Sequence, residues 1–561
     1  MTGYPVRLAI VCAAIILGSY TLRLSLLHTR TFDPDELQHA HAAWAVHQGL
    51  LPFRDFFEHH MPGIQFMLAP MLGGFHVTTS SEDAIRFLFF VRTLMWIFTG
   101  FVVAITVVLG TRYGGAAPGW LSGGLLSTSV VFMSRTLEIR PDTPGLMFWL
   151  ATLFALVVGV QRGGSADRFR RWCFVAGGFS FGCGLVFNQK LLLAGPGLFV
   201  FGVLYLLHES TWPRRVRVFD MVSFAGASAA PLLALLVYFW RLGAAGDLVN
   251  GVLTTNLGWP REVSVGTTLN WMLLRDPWLM AVAVAGIVHA ALEMTHGRRT
   301  SLSMALLLFP TISLLAGLLF IPTPYTQYML LVLPAAAVFG ARFIWTLCKD
   351  LPTGGLPVRG RAGVESLSVA ASGVGVAVIG MDVARPFFLH PAAYPVFGIA
   401  AIAAVAILAS RRKVEWAAAI LLCACSAYTA QQLRWMQGES NAEALDEMRY
   451  VHAMTQPTDR VLDGFSGLSW FRPSASFYPF LHSGVRKRLS QQEVSVIAGM
   501  LTTCERRPKL VILDDDLREL STAVAPLVSR YYRPSPFQLI WTRENETCHG
   551  NGSARAERVF Q

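Results

Sequence analysis

The sequence predicts an all-α polytopic membrane domain followed by a small C-terminal α/β domain, and three observations predict it. Hydrophobic residues make up 53% of the chain and charged residues only 14%. Apolar runs of about 20 residues, long enough to cross a bilayer's hydrocarbon core, recur from the N-terminus to residue 432. Beyond that point the chain turns polar and mixed. The predicted domains are therefore residues 1–432 and 433–561.

Lipid cannot satisfy backbone polar groups, so the apolar runs are predicted as helices, about thirteen of them, with Gly and Pro marking kinks or close contacts. The first, Leu8–Leu27, is longer than a secretory signal core and lacks a small-residue cleavage site, so it is predicted as a retained span. Arginine-rich clusters orient the chain: Arg162/Arg168/Arg170/Arg171, Arg214/Arg215/Arg217, Arg298/Arg299, Lys349/Arg359/Arg361 and Arg411/Arg412/Lys413. Each lies two predicted spans from the next, which is the positive-inside pattern. This predicts a cytoplasmic N-terminus and an outer-face tail. The net charge of +11 resides mostly in these inner loops and reports topology, not nucleic-acid binding.

On the outer side the first predicted loop, Phe32–Gly63, concentrates Asp33, Asp35, Glu36, Asp55 and Glu58 with five histidines. Interfacial helices are predicted over about residues 30–65, one opening near Asp35 with His39 a turn later on the same face and Leu37, Ala40 and Trp44 turned to lipid or protein. A helix dipole favours one or two acids in a first turn. It does not explain the rest of the cluster, in particular Glu58-His59-His60 just before Pro62. The second outer loop carries Glu138-Ile139-Arg140-Pro141-Asp142, and a short turn after the fifth span carries Asn188-Gln189-Lys190. A lysine at the outer end of a span runs against the positive-inside trend and points to a bound anion. The outer loops Arg241–Pro277 and Ile321–Gln327 add Arg261 and Tyr325.

In the tail, helical patterns cover Asn441–Met454 and Gln491–Leu501, and the apolar run Leu510–Leu513 reads as a buried strand. The acidic run Asp514–Asp516 reads as a solvated loop after that strand. Cys504 and Cys548 alone lie wholly outside the membrane, where a disulfide between them or two free thiols are both compatible with the sequence. The sequons at Asn545 and Asn551 read as chance matches. Internal repeats, a P-loop, a CxxC pair, a nucleophile elbow and a dinucleotide fingerprint are all absent.

In order and sidedness these features resemble the GT-C membrane glycosyltransferases that use polyprenyl-phosphate sugars, most of all the branch of the protein O-mannosyltransferases and the lipid A aminoarabinose transferases. The resemblance rests on Asp35-Glu36, on Gly49, Pro52 and Phe57-Glu58-His59-His60-Met61-Pro62, on Arg140–Pro144, on Lys190 and on Tyr325-Thr326-Gln327-Tyr328 leading to Pro334. It covers the membrane region. Where the aminoarabinose branch reads Glu-Lys-Pro-Pro this chain has Glu58-His59-His60-Met61-Pro62, so a histidine would take the phosphate role of the missing lysine. The turn at Lys190 also lacks the usual following Gly-Pro.

The resemblance implies transfer of a sugar, with inversion, from a polyprenyl-phosphate donor to a lipid, glycan or protein hydroxyl, at the outer face of a bacterial cytoplasmic membrane. A lipid phosphate is already a good leaving group, so one base suffices, unlike the paired carboxylates of glycoside hydrolysis. The catalytic candidates are Asp35 as base, with Asp33 as its alternative, and Glu36. Lys190, Arg140, His59, His60 and Arg261 would stabilise the departing phosphate, and Tyr325 and Tyr328 would line the lipid pocket. Glu58, Asp142 and Asp33 would orient these groups. No cofactor is implied beyond a divalent cation that the acids and imidazoles of the first loop could hold. Rival readings are a lipid or solute transporter, against which the nearly apolar span interiors argue, a polysaccharide ligase or polymerase using a diphosphate-linked donor, and a structural or signalling membrane protein.

Overall fold

A computed structural model describes residues 4–161, 167–208, 212–296, 301–350, 426 and 440–544. The chain divides into two units. The first contains Met1–Arg54, Glu58–Gly73 and Arg86–Asn441; the second contains Asp55–Phe57, Gly74–Ile85 and the segment from Ala442 onward. The predicted spans between residues 351 and 425 lie outside the described residues. So do Arg162, Arg298, Arg299, Cys548 and both sequons.

The first unit is helical, as its apolar patterning requires. Among the described residues six helices are long and apolar enough to cross a membrane: Leu8–Thr29, Ser81–Gly114, Asp142–Gln161, Gln189–Leu207, Arg214–Arg241 and Pro277–Thr295. Two shorter apolar helices, Leu302–Gly317 and Leu333–Thr346, join them. Their interiors are not wholly apolar. Arg23 and Arg92 are buried within two of these helices, where a charge persists only if protein groups surround it. Arg23 donates to Thr99 and Thr136 hydroxyls, and Arg92 meets a carboxylate described below.

Helix α1 (Tyr4–Thr29) leads through a short extended stretch to helix α2 (Pro34–His47). Helix α2 begins where its sequence says it should: Pro34 occupies the first helical position, Asp33 caps it and Glu36 completes a capping box. Every residue from Glu36 to Ala45 is buried. Leu37, Ala40 and Trp44 thus pack against protein, and α2 is an internal helix with no lipid-facing stripe.

In the second unit four strands form one sheet in the order β1-β2-β4-β3, where β1 is Val461–Asp463, β2 Leu510–Ile512, β3 Tyr532–Pro534 and β4 Ile540–Arg543. β1 and β2 run parallel, and the other pairs are antiparallel. The predicted tail helices occur as Ala442–Met454 and Gln491–Thr502. Asp514 is a helix cap and not part of a loop: its side chain accepts from the Leu517 amide and starts the helix Asp515–Leu520. Cys504 is disulfide-bonded.

Candidate active site

The acids of the segment 33–36 and the cations of the segment 135–140 meet in one ion-pair cluster within the first unit. Asp33, as helix cap, accepts the Asp35 amide at 3.1 Å, the Arg140 Nη2 at 2.9 Å and the Arg135 Nη1 at 3.1 Å. Asp35 Oδ2 pairs with Arg140 Nη1 at 2.5 Å. Glu138, fully buried, receives Arg140 Nε at 2.5 Å, Arg135 Nη1 at 2.9 Å and Arg30 Nη2 at 2.5 Å. The three nitrogens of the Arg140 guanidinium therefore each face a different carboxylate. A buried charge is tolerable only when paired in this way.

The electrostatics follow from the geometry. Burial alone would lower the Arg140 guanidinium, but Asp35, Glu138, Asp33 and Asp142 drive it well above its ordinary value. Burial would likewise raise Glu138, and Arg135, Arg140 and Arg30 overcome this and hold it below the usual carboxylate range. Asp33 is raised, because burial and the neighbouring acids outweigh Arg140 and Arg135.

Glu36 has a different environment from Asp35. Its side chain is fully buried, and Arg92 grips it with Nε on Oε2 at 2.8 Å and Nη2 on Oε1 at 2.7 Å. The Ile139 amide also donates to Oε2, at 3.1 Å. Arg92 in turn donates to the Leu27, Arg30 and Thr31 carbonyls and lies over the Phe32 ring at 3.9 Å. Glu36 is thus a brace tying α2 to the helix Ser81–Gly114 and to the segment of Ile139.

A second group forms around Lys190. Asn188 caps the short helical turn Gln189–Ala194, accepting the Lys190 amide at 3.1 Å while its amide nitrogen donates to Asp142 at 2.9 Å. Lys190 Nζ stands 3.4 Å from Asp142 Oδ1 and 3.5 Å from the centroid of the Tyr328 ring, a cation–π arrangement. Gly145 permits this approach, since a Cβ there would lie 2.9 Å from the Asn188 Cβ. Lys190 is also within electrostatic reach of Asp35 and Arg140. Tyr325 donates to Glu262 Oε2 at 2.9 Å.

The third group contains the histidines. Glu58 Oε1 accepts the His59 amide at 2.8 Å, the His60 amide at 3.0 Å and His60 Nδ1 at 2.8 Å, and Oε2 accepts Gln65 Nε2 at 2.9 Å. Burial pushes this carboxyl up, but the hydrogen bond and charge of His60 prevail and hold it at about 2. His39, buried on α2, sits edge-on to His60 at 5.0 Å, and burial lowers it to about 3. His59 stacks on Trp259 at 4.5 Å, and its carbonyl accepts Asn256 Nδ2 at 2.7 Å and Gln189 Nε2 at 3.2 Å. The loop of Trp259 carries Arg261, which is exposed and forms no ion pair among the described residues.

Two of the expected site residues have ion-pair partners in the structure. Arg140, expected on the donor phosphate, is spent on Asp33, Asp35 and Glu138, and Glu36, expected beside the reacting atoms, is spent on Arg92. Sequence reading did not single out Arg30, Arg92, Arg135 or Trp259. Arg92 alone left a signal, the one charge between Arg86 and Arg112 in the apolar body of the helix Ser81–Gly114.

A protein-family profile described as dolichyl-phosphate-mannose-protein mannosyltransferase matches residues 60–240. Among solved structures, ArnT from Cupriavidus metallidurans in the apo state aligns with a TM-score of 0.61 at 14% identity, over 95% of this chain and 97% of that one. The same protein bound to undecaprenyl phosphate gives a TM-score of 0.57 at 14% identity, over 92% and 94%. The apo oligosaccharyltransferase of Archaeoglobus fulgidus gives 0.54 at 11% identity, over 93% of this chain and 72% of that one. No curated protein matches the chain. At these identities the alignments establish the fold.

Proposed function

We propose, from the premise that this chain has the GT-C glycosyltransferase fold, that it is an inverting membrane glycosyltransferase. It moves a sugar from a polyprenyl-phosphate donor to an acceptor hydroxyl on the outer face of a bacterial cytoplasmic membrane. The N-terminus is cytoplasmic and the unit from Ala442 onward is outside. The observation that carries the reading is that Asp35, a carboxylate without a capping duty, and Lys190, a cation paired with Asp142, lie within electrostatic reach of each other.

In this mechanism Asp35 accepts the acceptor hydroxyl proton as that oxygen attacks the anomeric carbon from the face opposite the phosphate. The bond from the anomeric carbon to the phosphate oxygen breaks, and the lipid phosphate leaves with the electron pair. Lys190 stabilises the developing charge, with His59 or His60 beside it and Arg261 on the adjoining loop. Tyr328 lies under the ammonium and steers it. Arg140 keeps Asp35 ionised and oriented, Glu36 braces α2, and Glu58 and Asp142 orient the histidines and Lys190. Tyr325 holds the loop of Glu262 and Arg261. The donor tail reaches the site from the bilayer.

The test is reconstitution with a panel of polyprenyl-phosphate sugars, following release of polyprenyl phosphate. One donor is consumed by the parent, and Asp35→Asn and Lys190→Ala lose most of that turnover. If both variants release polyprenyl phosphate as the parent does, the site assignment fails, and if the parent consumes no donor the reaction assignment fails. A cysteine introduced at Gly438 reacts with an impermeant thiol reagent from outside. Protection there inverts the orientation.

A further inference from the structure

We propose that His39, Glu58 and His60 bind a divalent cation of the zinc class, with one coordination position left open to an oxygen anion. Each of the three residues offers one ligand atom, and these atoms lie within 4.8 Å of one another. They come from two parts of the chain. His39 is presented by the buried helix α2, and Glu58 and His60 by the segment before Gly63, whose Cβ position faces the Val186 carbonyl at only 2.5 Å. That close approach fixes the segment against the helix Asp167–Phe187.

Three features single this cluster out from an ordinary hydrogen-bond network. His39 is 1% exposed, yet its Nδ1 has no hydrogen-bond partner among the described residues. Leaving such a group unsatisfied costs free energy, and a ligand removes that cost. Second, His60 Nδ1 stands 2.8 Å from Glu58 Oε1, close enough for the two atoms to hold one ion between them. Third, the donor set is two imidazoles and one carboxylate. Such a set suits zinc, and three protein ligands leave a fourth position for water or substrate.

The charge balance gives the cation a use. Arg30, Arg92, Arg135 and Arg140 are matched by Asp33, Asp35, Glu36 and Glu138, and Lys190 by Asp142. Glu58 adds a further negative charge, so this cluster offers a phosphate no surplus of positive charge. A divalent ion on Glu58 reverses the sign. That the open position takes a phosphate oxygen of the donor rests on the glycosyltransferase reading; the metal site itself does not.

The experiment uses the full chain in detergent, stripped with a chelator and titrated with Zn²⁺ against a chromophoric competitor, then with Co²⁺ read by visible absorption. The parent takes up one equivalent of zinc and gives the intense bands of four-coordinate cobalt. His39→Gln and Glu58→Gln each weaken zinc binding by about 10- to 100-fold. His41→Gln, on the same helix but outside the cluster, binds as the parent does. Absence of a stoichiometric site in the parent overturns the proposal, and so does parent-like affinity in both His39→Gln and Glu58→Gln. If either variant fails to fold, the parent's cobalt spectrum decides, a weak octahedral spectrum being the overturning result. Undecaprenyl phosphate added to the cobalt form shifts the bands if the open position takes phosphate. Zinc binding without donor turnover removes the glycosyltransferase reading and leaves the site, whereas turnover by a zinc-free chain that binds none removes the site and leaves the reaction.

Discussion

Arg140→Lys separates two jobs that a cation can do in this site. In the structure Arg140 spreads its guanidinium over three carboxylates, at 2.5 Å from Asp35, 2.9 Å from Asp33 and 2.5 Å from Glu138. A lysine keeps the charge but offers a single point, so it can serve one of these partners closely. If it stays on the fully buried Glu138, Asp35 loses its guanidinium. Removing an opposite charge at contact distance raises a carboxyl by about 1–3 pH units. The base works only when ionised, so a raised value moves the acidic limb of the pH–rate profile to higher pH, and activity returns as pH climbs past it. At mildly acidic pH a smaller share of the base is ionised, so kcat falls there and recovers as the pH rises. The donor KM stays within about twofold, because Arg140 makes no contact with the phosphate in this scheme. Complete removal, as in Arg140→Met, leaves buried carboxylates uncompensated and costs about 3–5 kcal/mol of stability, so the lysine variant is the informative one. The assay is initial rates of polyprenyl phosphate release from pH 5 to 9 at varied donor concentration. An unmoved acidic limb with a donor KM raised tenfold or more refutes the positioning role and returns Arg140 to the phosphate.

Three further outcomes follow from particular contacts. Glu36→Gln strands the buried Arg92 charge and lowers stability by about 3–5 kcal/mol, read as a fall in the thermal midpoint in detergent; Glu36→Met with Arg92→Met recovers much of it, because a buried pair is more costly broken than absent. Gly145→Ala puts a Cβ 2.9 Å from the Asn188 Cβ, which displaces the residue that caps Lys190, and the donor KM rises several-fold while kcat changes less. In the second unit, burial and then repulsion from Asp514 raise the Asp463 carboxyl to about 7. The folded state thus holds a proton that the unfolded chain releases near 3.8, so this contribution to stability is full at low pH and is lost as pH rises toward about 7. Hydrogen exchange corrected for its intrinsic rate is faster in β1 and β2 at pH 8 than at pH 5, and Asp463→Asn removes the difference.

The parts of this architecture that were legible in the sequence are those written in local patterns. The start of α2 could be read from Asp33, Pro34 and Glu36, because a cap, a first-position proline and a capping box lie within four residues. The tail helix Gln491–Thr502 and strand Leu510–Ile512 were legible for the same reason. Strands β1 and β3, three residues each, are too short to show a period, and they exist because β2 and β4 supply their partners. The burial of α2 on every side was not legible either. Its exposed-looking pattern of Gln38, His39 and His41 reads as a polar face until the surrounding helices close over it.

The ion pairs of Arg140 were not legible in the sequence for a specific physical reason. A sequence shows that a cation stands near the right loop but not how many carboxylates reach it, and ion pairing is decided by residues far apart in the chain. Asp33 and Arg140 are 107 positions apart, and Glu36 and Arg92 are 56 apart. Counting pairs, and not cations, changes which groups are left for chemistry. Asp33 is committed twice over, as the cap of α2 and as the partner of Arg135 and Arg140, whereas Asp35, one position into the helix past Pro34, has no capping duty. In the proposed mechanism the choice of base between two acids two residues apart turns on helix capping, a structural requirement that Asp33 meets and Asp35 does not.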